Sequence, residues 1–197
     1  MMLYIFDMGG VLARDFDIAP EASRLLGLTE REFRRFAACD MDSLMAGTMS
    51  AAEWWSRFAA RSGAHPVEDL WSTLFAPTVD DEVEWVIGNL RKHGRVVCGT
   101  NTIASHYDWL KTAGRYEPFD EVYASHLLGV CKPDPAFWLR ILEAEGVNPC
   151  DAFFVDDMAV NVKAAEGVGI ASHLFTDVQA LKSALESTLA GEARLEA

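Results

Sequence analysis

Six polar side chains stand where apolar runs end. Asp7 follows LYIF (3–6), Thr100 and Asn101 close RVVCGTN (95–101), Lys132 lies in VCKPDP (130–135), and Asp156 and Asp157 follow AFFV (152–155). Each has an ordinary explanation when taken singly. A strand-terminal aspartate often caps the next helix, threonine and asparagine suit turns, and lysine is at home on a surface. The adjacent carboxylates of Asp156 and Asp157 are harder to account for, because they repel each other and are costly to hide without a cation. Taken together, the set suits the handling of a phosphoryl group. A carboxylate can attack phosphorus to give an acyl phosphate. A hard divalent cation, held by oxygen ligands, relieves the repulsion between the two anions. Asp7 and Asp156 would supply such ligands, with the Gly9 backbone carbonyl as a third. A hydroxyl, an amide and an ammonium would then hold the other phosphate oxygens, matching Thr100, Asn101 and Lys132. Gly9 and Gly10 let the backbone turn sharply and approach a ligand closely.

These residues need a scaffold that brings strand ends together. Short β-like runs occur at 3–6, 95–100, 121–124, 152–156 and 171–175, and helical patterns occupy 82–94, 106–114, 135–146, 158–169 and 178–191. Strand and helix alternate from about residue 82 onward, which predicts an α/β fold: a three-layer, Rossmann-like parallel sheet core. Ligands bind such sheets at the carboxyl ends of the strands. Residues 15–80 break the alternation. They read as helix, with capping boxes at Thr29–Glu32 and Ser50–Glu53, so the expected organisation is a core of 1–14 and 81–197 carrying a helical cap of 15–80. A further capping box, Thr176 to Gln179, predicts a last helix ordered to about Leu189.

Half of the 197 residues are hydrophobic and 11% are aromatic, enough for a packed interior. A formal charge of −13 disfavours nucleic acid and anionic membrane as partners. No apolar run approaches the roughly 18 residues needed to span a bilayer, and the N-terminus lacks the basic start of a signal peptide. Cys39, Cys98, Cys131 and Cys150 form no CxxC pair, which reads as free thiols in a reducing cytoplasm.

The ordered motifs FDMGGVL with Asp7, GTNT with Thr100, CKPDP with Lys132 and FFVDDMAVN with Asp156–Asp157 resemble those of the haloacid dehalogenase superfamily, over essentially the whole chain. In detail they are most similar to bacterial sugar-phosphate phosphatases of the glucose-1-phosphatase type. The resemblance implies a magnesium-dependent phosphatase acting on a small phosphorylated metabolite, with a sugar phosphate as the expected substrate. It implies Asp7 as the nucleophile and Lys132 as a bridge between nucleophile and phosphate. Phosphate would be bound by Thr100, Asn101, Lys132 and Gly10. Magnesium would be held by Asp7, Gly9 and Asp156, with Asp157 in the outer shell. Asn161 would orient these carboxylates.

One departure stands out. Typical phosphatases of the superfamily carry a second aspartate two residues after the nucleophile, as general acid and base; here that position is Gly9, as the glucose-1-phosphatase-type resemblance implies for an active enzyme. A general acid–base contributes on the order of 10²–10⁴ in rate. Either the leaving group needs little help, or Asp15, Asp17 or His106 substitutes, or the protein binds phosphate with weak turnover. A metal-independent dehalogenase is the rival within the superfamily. Dehalogenases also lack the second aspartate, but they place an arginine soon after the nucleophile, whereas Arg14 sits beyond the motif turn, and a metal-free site should avoid the Asp156–Asp157 pair. A phospho-accepting signalling module is disfavoured, because its acidic pair comes early in the chain. In the cap, Trp54 and Trp55 point roughly 100° apart on a helix, so at most one is expected in the core, the other facing outward or walling the substrate cleft. MAGTMS (45–50) is a candidate lid turn, and Met41, Asp42 and Arg14 are candidate substrate contacts.

Overall fold

The computed structural model describes residues 2–195. Strand β1 (Met2–Phe6) leads to a two-residue strand β2 (Ala13–Arg14). Five helices follow: α1 (Ala19–Leu25), α2 (Glu30–Ala37), α3 (Met41–Met45), α4 (Ala51–Ser62) and α5 (Leu70–Thr73). After β3 (Thr78–Val79) come α6 (Asp81–Leu90), β4 (Gly94–Thr100), α7 (Ala104–Thr112), β5 (Glu121–Ala124) and α8 (Ser125–Leu128). The chain continues through α9 (Ala136–Glu145), β6 (Ala152–Asp156), α10 (Ala159–Val168), β7 (Ala171–Leu174) and α11 (Val178–Leu195).

Five strands form one parallel sheet in the order β5-β4-β1-β6-β7. The side chains of a strand alternate between faces, and here both faces are buried. Tyr4 and Phe6 of β1, Val96 and Cys98 of β4, and Phe153 and Val155 of β6 pack on one side with Val83, Ile87 and Leu90 of α6 and Leu181 of α11. Leu3, Ile5, Val97 and Phe154 pack on the other, against Phe137, Trp138 and Ile141 of α9. Helices cover both faces, giving the expected three-layer α/β fold. Such doubly covered strands read as unbroken apolar runs, which is what LYIF and AFFV are.

β2 and β3 form an antiparallel ribbon, Ala13 opposite Val79 and Arg14 opposite Thr78. The ribbon returns the chain to the core after the five helices, so the helical segment leaves and rejoins at one place. Asp15, at φ 56°, accepts a hydrogen bond from the Thr78 hydroxyl at 2.7 Å. The segment has an aromatic core of its own. Trp54 and Trp55 are both buried, at 0% and 6% exposure, which corrects the expectation that only one would be. Their ring centroids lie 4.8 Å apart, and both pack on Phe58 and Trp71. An angular separation on one helix does not force one ring into solvent when α5 supplies a second wall. The Trp55 indole N–H donates to Asp69 at 2.7 Å, so neither tryptophan is a free wall of a cleft.

Of the three capping boxes expected from the sequence, one forms in full. Thr29 and Glu32 form the full reciprocal capping box, whereas Ser50 accepts from the Glu53 N–H without the return bond. At the start of α11 the cap is Asp177, not Thr176: its carboxylate accepts from the backbone N–H groups of Gln179 and Ala180, both at 2.9 Å. A carboxylate there also faces the positive end of the helix. α11 extends to Leu195, past the expected Leu189.

Candidate active site

Asp7 leaves the carboxyl end of the central strand, and its backbone N–H donates to the Val155 carbonyl at 2.9 Å. Since Phe6 also pairs with Val155, Asp7 and Asp156 emerge side by side. Lys132, on the loop after α8, reaches between them. Its ammonium, fully buried, is 3.0 Å from Asp7 Oδ1 and 2.7 Å from Asp156 Oδ2. Oxygens of Asp7, Asp156 and Asp157 all lie within 4.8 Å of one another. Thr100 ends β4, the strand on the other side of β1, and is buried.

Three carboxylates face one ammonium, and burial dominates the proton affinities of Asp7 and Asp157. Burial pushes the Asp7 carboxyl up to about 6; the Lys132 charge lowers it and the Asp156 charge raises it further. An aspartate paired with lysine would ordinarily titrate low, so burial and the neighbouring acid outweigh the pairing. Burial would lower the Lys132 pKa, but the charges of Asp7 and Asp156 outweigh it and hold the ammonium above its usual value. Burial, then Asp156, raises Asp157. Hard oxygen donors carrying excess negative charge fit a magnesium-type cation.

Further bonds fix each group. The Met8 N–H donates to Asp7 Oδ1 at 2.7 Å, so both contacts described on Asp7, this one and that of Lys132, fall on the same oxygen. The Asn161 amide donates to both oxygens of Asp156 at 3.0 and 3.1 Å, and the Met158 N–H adds a bond at 2.8 Å. No backbone hydrogen bond among the described residues uses the Gly9 carbonyl.

Two expected phosphate ligands have other work. The Gly10 N–H donates to the Ala13 carbonyl at 2.9 Å, so that amide is committed within the loop. The glycine itself, at φ +76°, makes room for Asp157: a Cβ there would sit 2.1 Å from its carboxylate. The Asn101 side chain pairs with the Lys132 backbone in both directions, donating to the carbonyl and accepting from the N–H, each at 2.8 Å. It clasps the lysine to the end of β4. The Thr100 hydroxyl has no hydrogen bond among the described residues, and Thr100 lines a small cavity of about 70 Å³ with Met8, Gly9 and Asn101.

The candidate substitutes for a second acid are also accounted for. Asp15 is bonded to Thr78. Asp17 is paired with Arg34 and accepts from the Ala19 N–H at 3.0 Å. His106 stacks on Phe75 at 3.8 Å, and burial lowers its pKa to about 4, so it is neutral at pH 7. Arg14 donates to the Gly10 carbonyl and faces Asp80 at 3.7 Å, bracing the loop that follows Asp7. The 45–50 turn is tied down: the Ser125 hydroxyl donates to the Met45 carbonyl at 2.7 Å, and a Cβ on Gly47 would meet the His126 carbonyl at 2.2 Å. Sequence reasoning missed Phe16, whose ring lies beside Gly9. Its one signal was an aromatic residue between two aspartates, DFD.

Residues 1–169 match the model of haloacid dehalogenase-like hydrolases. A flavin mononucleotide hydrolase of Arabidopsis thaliana is 39% identical over 59 residues, 30% of this chain and 24% of that protein. A sesquiterpene phosphatase of Aspergillus oryzae is 36% identical over 72 residues, 36% of this chain and 33% of that protein. The chain therefore spans a third or less of these two curated relatives. Among solved structures, the HAD family enzyme bt-2542 of Bacteroides thetaiotaomicron, in complex with magnesium and inorganic phosphate, superposes with a TM-score of 0.73 at 22% identity, covering 89% of this chain and 94% of that one. L-2-haloacid dehalogenase of Xanthobacter autotrophicus gives 0.66 at 19% identity, covering 87% and 76%. At these identities the structures speak for the fold alone. The family match covers most of the chain, and the protein belongs to the haloacid dehalogenase-like hydrolases.

Proposed function

We propose that the protein hydrolyses small phosphate monoesters with magnesium, through an aspartyl phosphate on Asp7. The observation that carries this is the cluster of Asp7, Asp156 and Asp157 oxygens within 4.8 Å, with the buried Lys132 ammonium inserted between the first two. Asp7, Asp156 and Asp157, with the Gly9 carbonyl, would hold the ion, which when bound screens the repulsion between phosphate and carboxylate. A metal-free dehalogenase gains nothing from a third acid at this point. Phosphatase names among the relatives support the same reading.

The two contacts on Asp7 Oδ1 leave Oδ2 as the attacking atom. It forms the bond to phosphorus while the ester P–O bond breaks, and the departing alkoxide takes its proton from solvent. Water then attacks phosphorus, frees inorganic phosphate and restores the carboxylate. Lys132 bridges nucleophile and phosphate, and the Thr100 hydroxyl donates to a phosphate oxygen. Asn161 keeps both oxygens of Asp156 aimed at the site, and Asn101 does the same for Lys132. The helical segment 15–80 acts as the cap that covers the substrate. A sugar phosphate is the substrate that the motif resemblance suggests.

The test is phosphate release from a panel of monoesters with and without EDTA, wild type beside Asp7→Asn. Release abolished by the substitution and by EDTA is the expected result. Turnover that survives EDTA would move the reading to a metal-free hydrolase, and tight phosphate binding without turnover to a binding protein.

A further inference from the structure

A cavity of about 440 Å³ opens between the helical segment and the sheet rim, with Asn101 at its floor. Its walls include Phe16, Ile18, Met41, Met45 and Trp71. Ile18 and Trp71 are buried, and Met41 and Met45 are half-buried from the helical side. Phe16 is 42% exposed and borders both this cavity and the smaller one beside Gly9 and Thr100. An ideal Cβ on Gly9 would lie 3.4, 3.5 and 3.8 Å from three atoms of the Phe16 ring. The ring therefore covers the space that a side chain at position 9 would enter, in ordinary van der Waals contact. Where a general acid would meet the leaving group, this chain presents an aromatic surface.

Charge points the same way. The one cation among the residues bordering this cavity is Arg34, and it already carries Asp17 and Glu30, the latter at 2.8 Å. Two acids on one guanidinium leave no positive charge there for a second anionic group. His106, also on the border, is neutral at pH 7. A ligand entering this space meets Ile18, Trp71, adaptable methionines and an exposed ring beside the polar side chains of Asn101 and Thr102, in a volume ordinary for a small-molecule site.

We propose that the cleft selects phosphate monoesters whose body is neutral and largely apolar, packed against Phe16. This rests on the reading of the site as a phosphate-ester hydrolase, and it replaces the sugar with an apolar group. The expected occupant carries one phosphate, no second charge, and a hydrocarbon or aromatic body that fits beneath Phe16 between the two methionines.

The test compares phenethyl phosphate with glucose 6-phosphate. Both are esters of primary alcohols, so leaving-group chemistry is similar and the body is what differs. With magnesium, wild-type kcat/KM should favour phenethyl phosphate by about tenfold or more, the discrimination that burying one phenyl ring supplies. Phe16→Ala should reduce that preference by roughly fivefold, chiefly through KM for phenethyl phosphate, and Phe16→Tyr should retain most of it. Phe16 is partly exposed, so the truncation spares the core. Calorimetric binding of the same two esters to magnesium-loaded Asp7→Asn protein gives the ratio without turnover. Equal or reversed preference, in either assay, overturns the proposal and leaves phosphate hydrolysis standing. A preference that Phe16→Ala does not change also overturns it. Absence of turnover with the apolar preference retained in binding supports the cleft assignment, and counts against the hydrolase reading instead.

Discussion

A side chain at position 10 would meet the Asp157 carboxylate at 2.1 Å, and at φ +76° any L-residue there is strained as well. Gly10→Ala should therefore displace Asp157 from the acid cluster while leaving Asp7, Lys132 and Asp156 in place. The left-handed backbone costs about 1–2 kcal/mol for alanine, and loss of a supporting group at a metal site typically weakens binding by roughly 10–100-fold. The expected outcome is a small drop in Tm with at least about a tenfold rise in the magnesium Kd by calorimetric titration. An unchanged Kd would remove Asp157 from the proposed metal site. At this scale the sequence was informative about residue types and poor about directions. Residue type and strand-end position suffice to bring Asp7, Thr100 and Asp156 to one rim, which Lys132 reaches from the loop after α8. The Asn101 amide faces Lys132 because that loop passes within reach, and the Gly10 amide turns to Ala13 because its loop closes on itself. Neither orientation is written in a motif.

The helical segment is held by rings rather than by periodic pattern alone. Trp54 is wholly buried and touches Trp55, Phe58 and Trp71. Truncating a buried aromatic of this kind costs about 3–5 kcal/mol, so Trp54→Ala should lower the urea midpoint by that equivalent. A loss below about 1 kcal/mol would show a cluster able to collapse around the gap. The existence of these elements was legible: the strand at 121–124 and the strand at 152–156 run as the residues suggested, and the helical patterns became helices. What was not legible was how α4 meets α5. The residues between them, with Pro66 and an exposed Val67, carry no periodicity that fixes the angle, and that angle buries the second tryptophan. The Thr176 cap failed for a simpler reason. Thr176 and Asp177 both cap well, and one residue of helix register decided between them.

At the scale of the whole molecule, pH acts through histidines that the fold partly shields from water. Burial lowers His106 from an ordinary 6.5 to about 4, and lowers His126 and His173 as well. A histidine kept neutral by the fold stabilises it fully above the unfolded value, and that contribution is lost as pH falls from 6.5 towards 4, where the unfolded chain binds the extra proton. For His106 the loss between pH 7 and pH 5 is roughly 2 kcal/mol. Asp7 works in the opposite sense, since a carboxyl raised to about 6 favours the fold as pH drops. The difference between wild type and His106→Phe isolates the histidine: the variant should lose less stability between pH 7 and pH 5 in parallel thermal melts. Equal losses would mean that the imidazole takes up its proton in the folded state as readily as in water.

The two-way bond between Asn101 and Lys132 has a consequence for the whole sheet. The lysine side chain bridges β1 and β6, and its backbone is clasped to the end of β4. Three neighbouring strands are thereby closed into a ring of contacts, like a keystone set from above. Without the contact to β4, the acids of β1 and β6 would keep their places but the ammonium would lose its aim. Such a pocket would have the charge of an active site and none of the balance. The ammonium is thus aimed by three strands jointly, and the proposed chemistry needs all three in place.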